Sequence, residues 1–172
     1  MFTFSTFSNK SWSKARSNIE VIDKKITIKT HAIVAGISED VGLEAYLIKP
    51  KSIKTAEYLE FLQQLVEKYP EQQIILFVDN LQVHKTQEAR AAYLQYNITP
   101  VFNVPYSPQF NGIEYYWSLV KNHYKRLLLY HLMHDLPVDT VDLIKSSIKR
   151  VPDAKAIICA REGRVRVESE TL

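Results

Sequence analysis

The chain has 172 residues, of which 46% are hydrophobic and 24% are charged, with a formal net charge of +3 and one cysteine. This length suits a single core, and a lone cysteine excludes an internal disulfide and a cysteine-based metal cluster. The longest apolar run, Ile74 to Val78, is far shorter than the roughly 20 residues of a membrane span, and the N-terminus lacks a secretory pattern. We therefore expect an intracellular protein without membrane segments, in which Cys159 is a buried bystander.

Basic residues concentrate in two segments, although the net charge is small. Such clusters suit a polyanion, because each Lys or Arg that neutralises a phosphate releases condensed counterions. A solvated face that keeps the protein soluble explains them equally well. The N-terminal cluster contains Lys10, Lys14, Arg16, Lys24, Lys25 and Lys29, and the C-terminal cluster contains Lys145, Lys149, Arg150, Lys155, Arg161, Arg164 and Arg166.

Residue periodicity predicts a mixed α/β chain. Runs of β-branched residues indicate strands, and apolar stripes at 3–4 spacing indicate helices. The predicted elements are a strand at 26–38, a hairpin turn at 39–42, a strand at 43–48, a helix that Thr55 caps and Pro70 ends, a strand at 74–78, a helix at about 86–96, a strand at 98–104, a helix that Asn111 caps, and a helix at about 138–149. The continuously apolar run at 74–78 is typical of a central strand buried on both faces. We place one domain at 1–150 and a C-terminal tail at 151–172.

Asp79 and Glu114 are the candidate catalytic residues. Asp79 follows the predicted central strand, and Glu114 lies in the first turn of a later helix, so both can reach one edge of the sheet. Carboxylate oxygens are ligands that Mg²⁺ and Mn²⁺ prefer, and phosphodiester chemistry uses two such ions. Each carboxylate also has a structural explanation. A strand often ends in Asp-Asn, and Asn111 to Glu114 has the spacing of a capping box.

Histidine and tryptophan residues add weaker signals. His84, five residues after Asp79, is more often a loop or cap residue than a ligand. Trp12 and Trp117 are more simply interpreted as packing residues, because tryptophan is mainly a large apolar side chain.

Two longer motifs contain the candidate carboxylates. They are Val-Asp-Asn-Leu-Gln-Val-His-Lys at 78–85 and Val-Pro-Tyr-Ser-Pro-Gln-Phe-Asn-Gly-Ile-Glu-Tyr-Tyr-Trp-Ser-Leu-Val-Lys at 104–121. Together they resemble the second and third acidic motifs of the Tc1/mariner–IS630 DDE transposases. The 34 residues from 80 to 113 separate Asp79 from Glu114, which is the interval typical of the DD34E branch. A weaker match through 11–14 and 33–37 extends the resemblance over about residues 1–130.

The resemblance implies an RNase H-like fold, a mixed sheet flanked by helices, with the first strand missing from this chain. It also implies the catalytic domain of a cut-and-paste transposase, which hydrolyses phosphodiester bonds and transfers DNA strands. The cofactors would be two Mg²⁺ or Mn²⁺ ions, and the partners transposon-end and target DNA, with a homodimer in the intact family member. Such a protein would act in a nucleus or a bacterial nucleoid. By this resemblance Asp79 and Glu114 bind metal, Asn80, His84 and Asn111 lie beside the metals or the DNA, and Lys121 and Lys125 contact phosphate.

The chain departs from the family pattern in two places. Gly112 stands where the family usually has proline, which leaves the loop entering the helix less constrained. The family's first aspartate should precede Thr3 by a few residues, and no aspartate is available there. Four other acids, Glu20, Asp23, Glu39 and Asp40, are poor substitutes by position. We therefore expect an incomplete metal site, and we do not expect this chain alone to be a competent nuclease.

Two alternatives remain open. One is a non-catalytic remnant or domesticated domain that binds nucleic acid or a partner chain, because an incomplete sheet exposes a strand edge. The other is an unrelated RNase H-like nuclease, against which the 34-residue interval and the loop at 105–108 both weigh. No helix-turn-helix module is predicted, so DNA contacts are expected to be directed at the backbone and sensitive to salt.

Overall fold

A computed structural model describes residues 2–4 and 30–170 of the chain, with side chains at 30–163. Within this part the chain forms two small sheets and five α-helices. The elements are β1 (Phe2–Phe4), β2 (His31–Ser38), β3 (Gly42–Pro50), α1 (Thr55–Lys68), β4 (Ile74–Val78), a 3-10 turn (Gln82–Lys85), α2 (Gln87–Gln95), β5 (Ile98–Phe102), a second 3-10 turn (Pro108–Phe110), α3 (Gly112–Met133), α4 (Thr140–Lys149) and α5 (Asp153–Glu170).

Helices cover both faces of strand β2. Its alternate residues point to opposite layers, as a pleated strand requires. Ala32 and Val34 pack into one apolar core with α1 and α2, whereas Ile33 packs into a second core with α3, α4 and α5. Helix α1 contributes the largest side chains of the first core, and α3 contributes those of the second. The mixed α/β architecture predicted from the sequence is therefore confirmed.

The strands pair in two groups. Strands β1, β2 and β3 form an antiparallel sheet in that order, and β4 pairs in parallel with β5. We expected the opening strand to be missing, and the structure refines this expectation. A three-residue strand, β1, pairs with β2 through the partners Phe2↔Ile33, Thr3↔Ala32 and Phe4↔His31. Beyond Ile33, the β1 side of β2 has no strand partner among the described residues.

The burial of β4 differs from the prediction. The side chain of Ile75 is 71% exposed and that of Phe77 is 36% exposed, whereas Val78 is buried. The prediction of a strand buried on both faces is therefore wrong for half of β4. The physical reason is that β4 pairs with β5 on one edge, while an open cavity adjoins its other edge.

Element boundaries otherwise follow the predicted order, with small shifts. The first long helix starts at Thr55 itself, and its N-cap is Lys54, whose backbone N–H donates to Glu57 Oε2 at 2.9 Å. The predicted strand at 98–104 ends at Phe102. Residues 26–29 of the first predicted strand, and Trp12, lie outside the described residues.

The segment that we predicted only as a C-terminal tail, at 151–172, contains a helix. Helix α5 spans Asp153–Glu170. Its first half contributes Ala156 and Cys159 to the core that α3 shares, and Cys159 is 7% exposed. Burial raises the pKa of the Cys159 thiol, which agrees with its predicted role as a buried, unreactive residue. No described helix is long and apolar enough to cross a bilayer.

A buried carboxylate links β3 to the end of α1. Glu44 has an 8% exposed side chain, accepts a hydrogen bond from the Tyr69 hydroxyl at 2.8 Å and pairs with the Lys68 ammonium. Burial raises the pKa of Glu44, but the bonds from Lys68, Ser38 and Tyr69 outweigh this and hold the pKa below its ordinary value. Lys68 is 38% exposed, so solvent screens the charge attraction, and the hydrogen bonds are the main contribution.

We expect Glu44→Gln to lower the free energy of unfolding by about 1–2 kcal/mol near neutral pH, because charged acceptors make the stronger hydrogen bonds. The folded pKa lies below the unfolded value of about 4.3. The contribution of the carboxylate is therefore present above that value and disappears as the pH falls through the folded pKa. Urea titrations at about pH 7 and about pH 3 check this. The difference between the two proteins should shrink at the lower pH, and exposed Glu67→Gln is the control. If Glu44→Gln lowered the free energy of unfolding equally at both pH values, the ionised Glu44 carboxylate would not be the source of the stabilisation.

Candidate active site

Asp79 follows the last residue of β4 at the open edge of the sheet. Its Oδ1 lies 2.9 Å from His84 Nδ1 and accepts the backbone N–H of Leu81 at 3.1 Å. The side chain is 30% exposed. Burial raises the pKa of Asp79, but the hydrogen bond from His84, nearby positive charge and the hydrogen bond from Leu81 together lower it more, to about 2. Asp79 is therefore an ionised carboxylate at neutral pH, held in one orientation.

His84 is buried beneath this carboxylate. It lies in the 3-10 turn after Asp79, is 5% exposed, and its ring centroid is 4.5 Å from that of Tyr58. The hydroxyl oxygens of Tyr58 and Tyr93 are hydrogen-bonded at 2.9 Å. The Tyr93 hydroxyl donates to the His84 backbone carbonyl at 3.1 Å. These bonds connect α1 and α2 to the turn. His84 therefore orients Asp79 from the protein interior, and its place beside bound metal or DNA stays a prediction.

Asn80 joins the ends of the two parallel strands. Its amide nitrogen donates to the Asn103 carbonyl, and its Oδ1 accepts from Lys85 Nζ at 2.7 Å. The Asn103 N–H in turn donates to the Val78 carbonyl at 2.8 Å. Lys85 also lies over the Phe102 ring, 5.2 Å from its centroid. Asn80 thus positions a cation and the strand ends beside Asp79.

Glu114 occupies the first turn of α3. Asn111 caps this helix by accepting the Ile113 N–H at 3.4 Å, and its carbonyl accepts the Glu114 N–H at 3.0 Å. A capping box would instead join the Asn111 side chain to the N–H of Glu114. Cap geometry therefore accounts for Asn111, but it does not by itself account for a glutamate at position 114. The Glu114 side chain is partly exposed.

One cavity joins the two candidate segments. It has a volume of about 470 Å³, and both Asp79 with His84 and the stretch Asn111–Ile113 line it. Glu114 is the next residue after that stretch. The described residues contain no ready group of three metal-binding side chains, so the structure brings the two predicted segments together without completing a three-ligand site.

The predicted phosphate-contacting lysines follow Glu114 along α3. The pKa of Lys121 lies below its ordinary value, mainly because the side chain is partly buried. The negative charge of Glu114 raises this pKa, and the positive charge of Lys125 lowers it further. Lys125 is exposed. Residues at i, i+7 and i+11 lie near one face of a helix, so the two cations extend from Glu114 along that face.

Sequence reasoning missed several residues that hold the site. Tyr58, Tyr93 and Asn103 support His84 or Asn80 through bonds between distant elements. No local spacing reveals such contacts. The role of Lys85 could have been inferred from the sequence, because this residue lies within the first motif, five positions after Asn80.

The sequence profile of the DDE superfamily endonucleases matches residues 2–132, which is most of the chain. This chain belongs to the DDE superfamily endonuclease family. No curated protein sequence matches it. The predicted membership of the DDE superfamily is thereby confirmed, and the structures that follow share the predicted fold.

Solved Mos1 mariner transposase structures share this fold. The chain superposes on the Mos1 strand transfer complex with a TM-score of 0.64 at 16% identity, covering 92% of this chain and 47% of that one. For the paired-end complex with the left transposon end the TM-score is 0.62 at 18% identity, covering 92% and 48%. For the Mos1 catalytic domain with raltegravir and Mn the TM-score is 0.57 at 15% identity, covering 84% and 77%. The chain therefore spans about half the length of the first two proteins and matches their RNase H-like part.

Proposed function

We propose that this chain is the catalytic domain of a cut-and-paste DNA transposase of the Tc1/mariner type. Its reaction would be metal-dependent hydrolysis of a phosphodiester bond at a transposon end, followed by transfer of the freed 3′ end into target DNA. Membership of the DDE endonuclease family supports the reaction class. The observation that carries the proposal is the cavity that Asp79 shares with the N-terminal turn of α3.

The donor groups of this cavity fit a divalent cation such as Mg²⁺ or Mn²⁺. Asp79, which lines the cavity, and Glu114, which directly follows the lining stretch Asn111–Ile113, are the residues that would hold it. Mg²⁺ is typically bound by one or two carboxylates with waters and phosphate oxygens. The low pKa of Asp79 keeps it charged. When bound, such ions supply Lewis-acid stabilisation of the attacking and leaving oxygens. Structures of the Mos1 transposase catalytic domain with raltegravir have been solved with Mn and with Mg, which supports the same preference here.

The protein's own groups orient these carboxylates and face the DNA. His84 and the Leu81 N–H fix the direction of the Asp79 carboxylate, and orientation of this kind accounts for much of enzymatic rate enhancement. Lys121 and Lys125 would contact phosphate, while Asn80 and Asn111 hold the two site segments in place. We propose DNA as the substrate, a homodimer as the working form, and the nucleus or bacterial nucleoid as the location.

The family's first aspartate has no equivalent in this sequence, so we propose that the chain on its own is not a competent nuclease. Two carboxylates hold a divalent ion more weakly than three, and a missing ligand misplaces the attacking water. The expected property of the isolated chain is weak metal binding without turnover.

Calorimetric titration of Mn²⁺ tests this proposal. We expect weak binding by the chain, in about the millimolar range typical of sites with few charged ligands, and loss of that binding in Asp79→Asn/Glu114→Gln. The amide side chains keep the shape of each residue while removing its charge. Glu60→Gln/Glu67→Gln is the matched control, because it removes two exposed charges on α1 and should leave the titration unchanged.

Equal heats from the chain and the Asp79→Asn/Glu114→Gln variant would mean that the two carboxylates do not share a metal. The proposed metal site, and with it the proposal that this chain is a catalytic domain, would then fail. A second candidate would take its place, namely a non-catalytic domain that binds nucleic acid or a partner chain. The open cavity between β2 and β4 favours this candidate.

A further inference from the structure

The ammonium group of Lys85 is held at the edge of the sheet where Asp79 lies. Lys85 Nζ donates to Asn80 Oδ1 at 2.7 Å and lies 5.2 Å from the centroid of the Phe102 ring. Both partners are neutral, so they hold the ammonium in place without cancelling its charge. Among residues 30–163 no carboxylate forms an ion pair with Lys85. The side chain is partly exposed, so an anion from solution can reach it.

The support of this cation is tied to the ends of both parallel strands. The Asn80 amide nitrogen donates to the backbone carbonyl of Asn103, and the Asn103 side chain donates to the Ser107 carbonyl at 2.8 Å. Asn103 is 8% exposed and Phe102 is 39% exposed, so a buried anchor holds a surface group. Ligands of α/β proteins bind outside the carboxyl ends of the strands. Lys85 therefore presents its charge where a ligand of Asp79 would lie.

A phosphate diester is the anion that suits this arrangement. A lysine ammonium is a point charge, and it binds phosphate oxygens without the fixed fork geometry of arginine. A lysine that is already held by two contacts also loses less conformational freedom on binding than a free one. Lys121 and Lys125 offer further positive charges along α3. Cations from two separate elements can thus contact one polyanion that passes the site.

We propose that Lys85 binds a backbone phosphate of DNA from the β4–β5 side of the site. The contact positions the DNA and carries no base specificity, because phosphates are the same at every sequence. Asn80 and Phe102 act through Lys85 by holding its ammonium. The inference rests on the DNA partner of the proposed function but not on its metal, so DNA binding and the Mn²⁺ titration can fail separately.

Fluorescence anisotropy with a labelled duplex of about 20 base pairs and arbitrary sequence tests the contact, in EDTA and over about 50–200 mM salt. Lys85→Met keeps the apolar stem over Phe102 and removes the charge. We expect this variant to bind about three- to tenfold more weakly at about 0.1 M salt. The slope of log K against log salt should also become shallower by about one, because one fewer counterion is released.

Two variants and a chemical footprint separate a phosphate contact from a structural role. Lys49→Met is the matched control, because the Lys49 ammonium is already bonded to Glu60 at 2.8 Å, and it should leave affinity and slope unchanged. Lys85→Arg keeps the charge and should retain the slope of the unaltered chain. Acetylation of lysines, followed by mass spectrometry, supplies the location. The duplex should protect Lys85 from acetylation and leave Lys49 reactive.

Four results would overturn the proposal. They are equal salt slopes for Lys85→Met and the unaltered chain, a slope for Lys85→Arg as shallow as that of a folded Lys85→Met, unchanged acetylation of Lys85 in the presence of DNA, and no binding of the duplex by the unaltered chain up to about 100 μM. Circular dichroism shows whether Lys85→Met is folded. If it is not, the Lys85→Arg slope, compared with that of the unaltered chain, and the acetylation pattern decide the question.

Discussion

Gly112→Ala is expected to lower the free energy of unfolding by about 2–3 kcal/mol, because overpacking in a close contact typically costs about 1–3 kcal/mol. A Cβ at Gly112 would lie 2.2 Å from the carbonyl oxygen of Cys159 and 3.1 Å from the Cα of Ala160. Both atoms belong to the backbone of α5, so no side-chain rotation relieves the contact. The higher helix propensity of alanine, about 0.5–1 kcal/mol, does not offset it.

Helix α5 makes the same contact from its own side. A Cβ at Gly163 would lie 2.6 Å from the backbone nitrogen of Gly112. Gly163→Ala should therefore destabilise the fold as Gly112→Ala does, and the double variant should cost less than the sum of the two. Residues in one contact are not additive, because separating the helices once relieves both clashes.

Urea unfolding and hydrogen exchange in α5 check these values. Gly36→Ala is the matched control, since its Cβ would meet side-chain atoms at ordinary contact distances, the nearest being Phe61 Cζ at 3.4 Å, and no backbone atom. We expect that change to alter stability by less than about 1 kcal/mol. An unfolding midpoint for Gly112→Ala equal to that of the unaltered chain would show that α5 is not held against the start of α3.

The contact also explains a departure from the family pattern. From the sequence, glycine in place of proline at 112 indicated only a looser loop before the helix. In the structure the position accommodates the backbone of α5. That requirement is set by a helix that begins 41 residues later, at Asp153, so local sequence could not reveal it.

The motif residues were predictable because their signals are local. Asp79 directly follows an apolar run, and Asn111 with Glu114 occupies the start of a periodic helix. Each position follows from a strand end or a helix cap. The residues that support them could not be predicted in this way. Tyr58 reaches His84 from α1, 26 positions earlier, and only the folded chain brings the two rings together.

The exposure of β4 marks another limit of the sequence pattern. An uninterrupted apolar run indicates burial on both faces when neighbouring strands and helices are all present. Here Ile75 faces an open cavity that no described strand fills. The composition of β4 is thus suited to a more complete sheet than the described residues form.

Trp117→Ala is expected to have the largest effect on stability. The Trp117 side chain is 1% exposed and packs edge-on against Tyr116, with ring centroids 5.6 Å apart. It belongs to the core that joins α3, α4 and α5. Replacing a buried tryptophan with alanine costs about 3–5 kcal/mol, against a net stability of about 5–15 kcal/mol for most domains. The motif tryptophan is therefore a packing residue, as its side-chain chemistry suggested.

The same ring also lines the cavity that contains Asp79, so its loss should affect both core and site. Urea titrations of Trp117→Ala, Trp117→Phe and Met133→Ala separate these effects. Phenylalanine should retain at least half of the lost stability, because it refills most of the volume, and the exposed Met133 change should stay within about 0.5 kcal/mol. If Trp117→Ala unfolded at the midpoint of the Met133→Ala control, α3 would not pack on the sheet through this ring. The cavity wall assigned to α3 would then have no rigid support, and Glu114 would not be held at a fixed position beside the cavity.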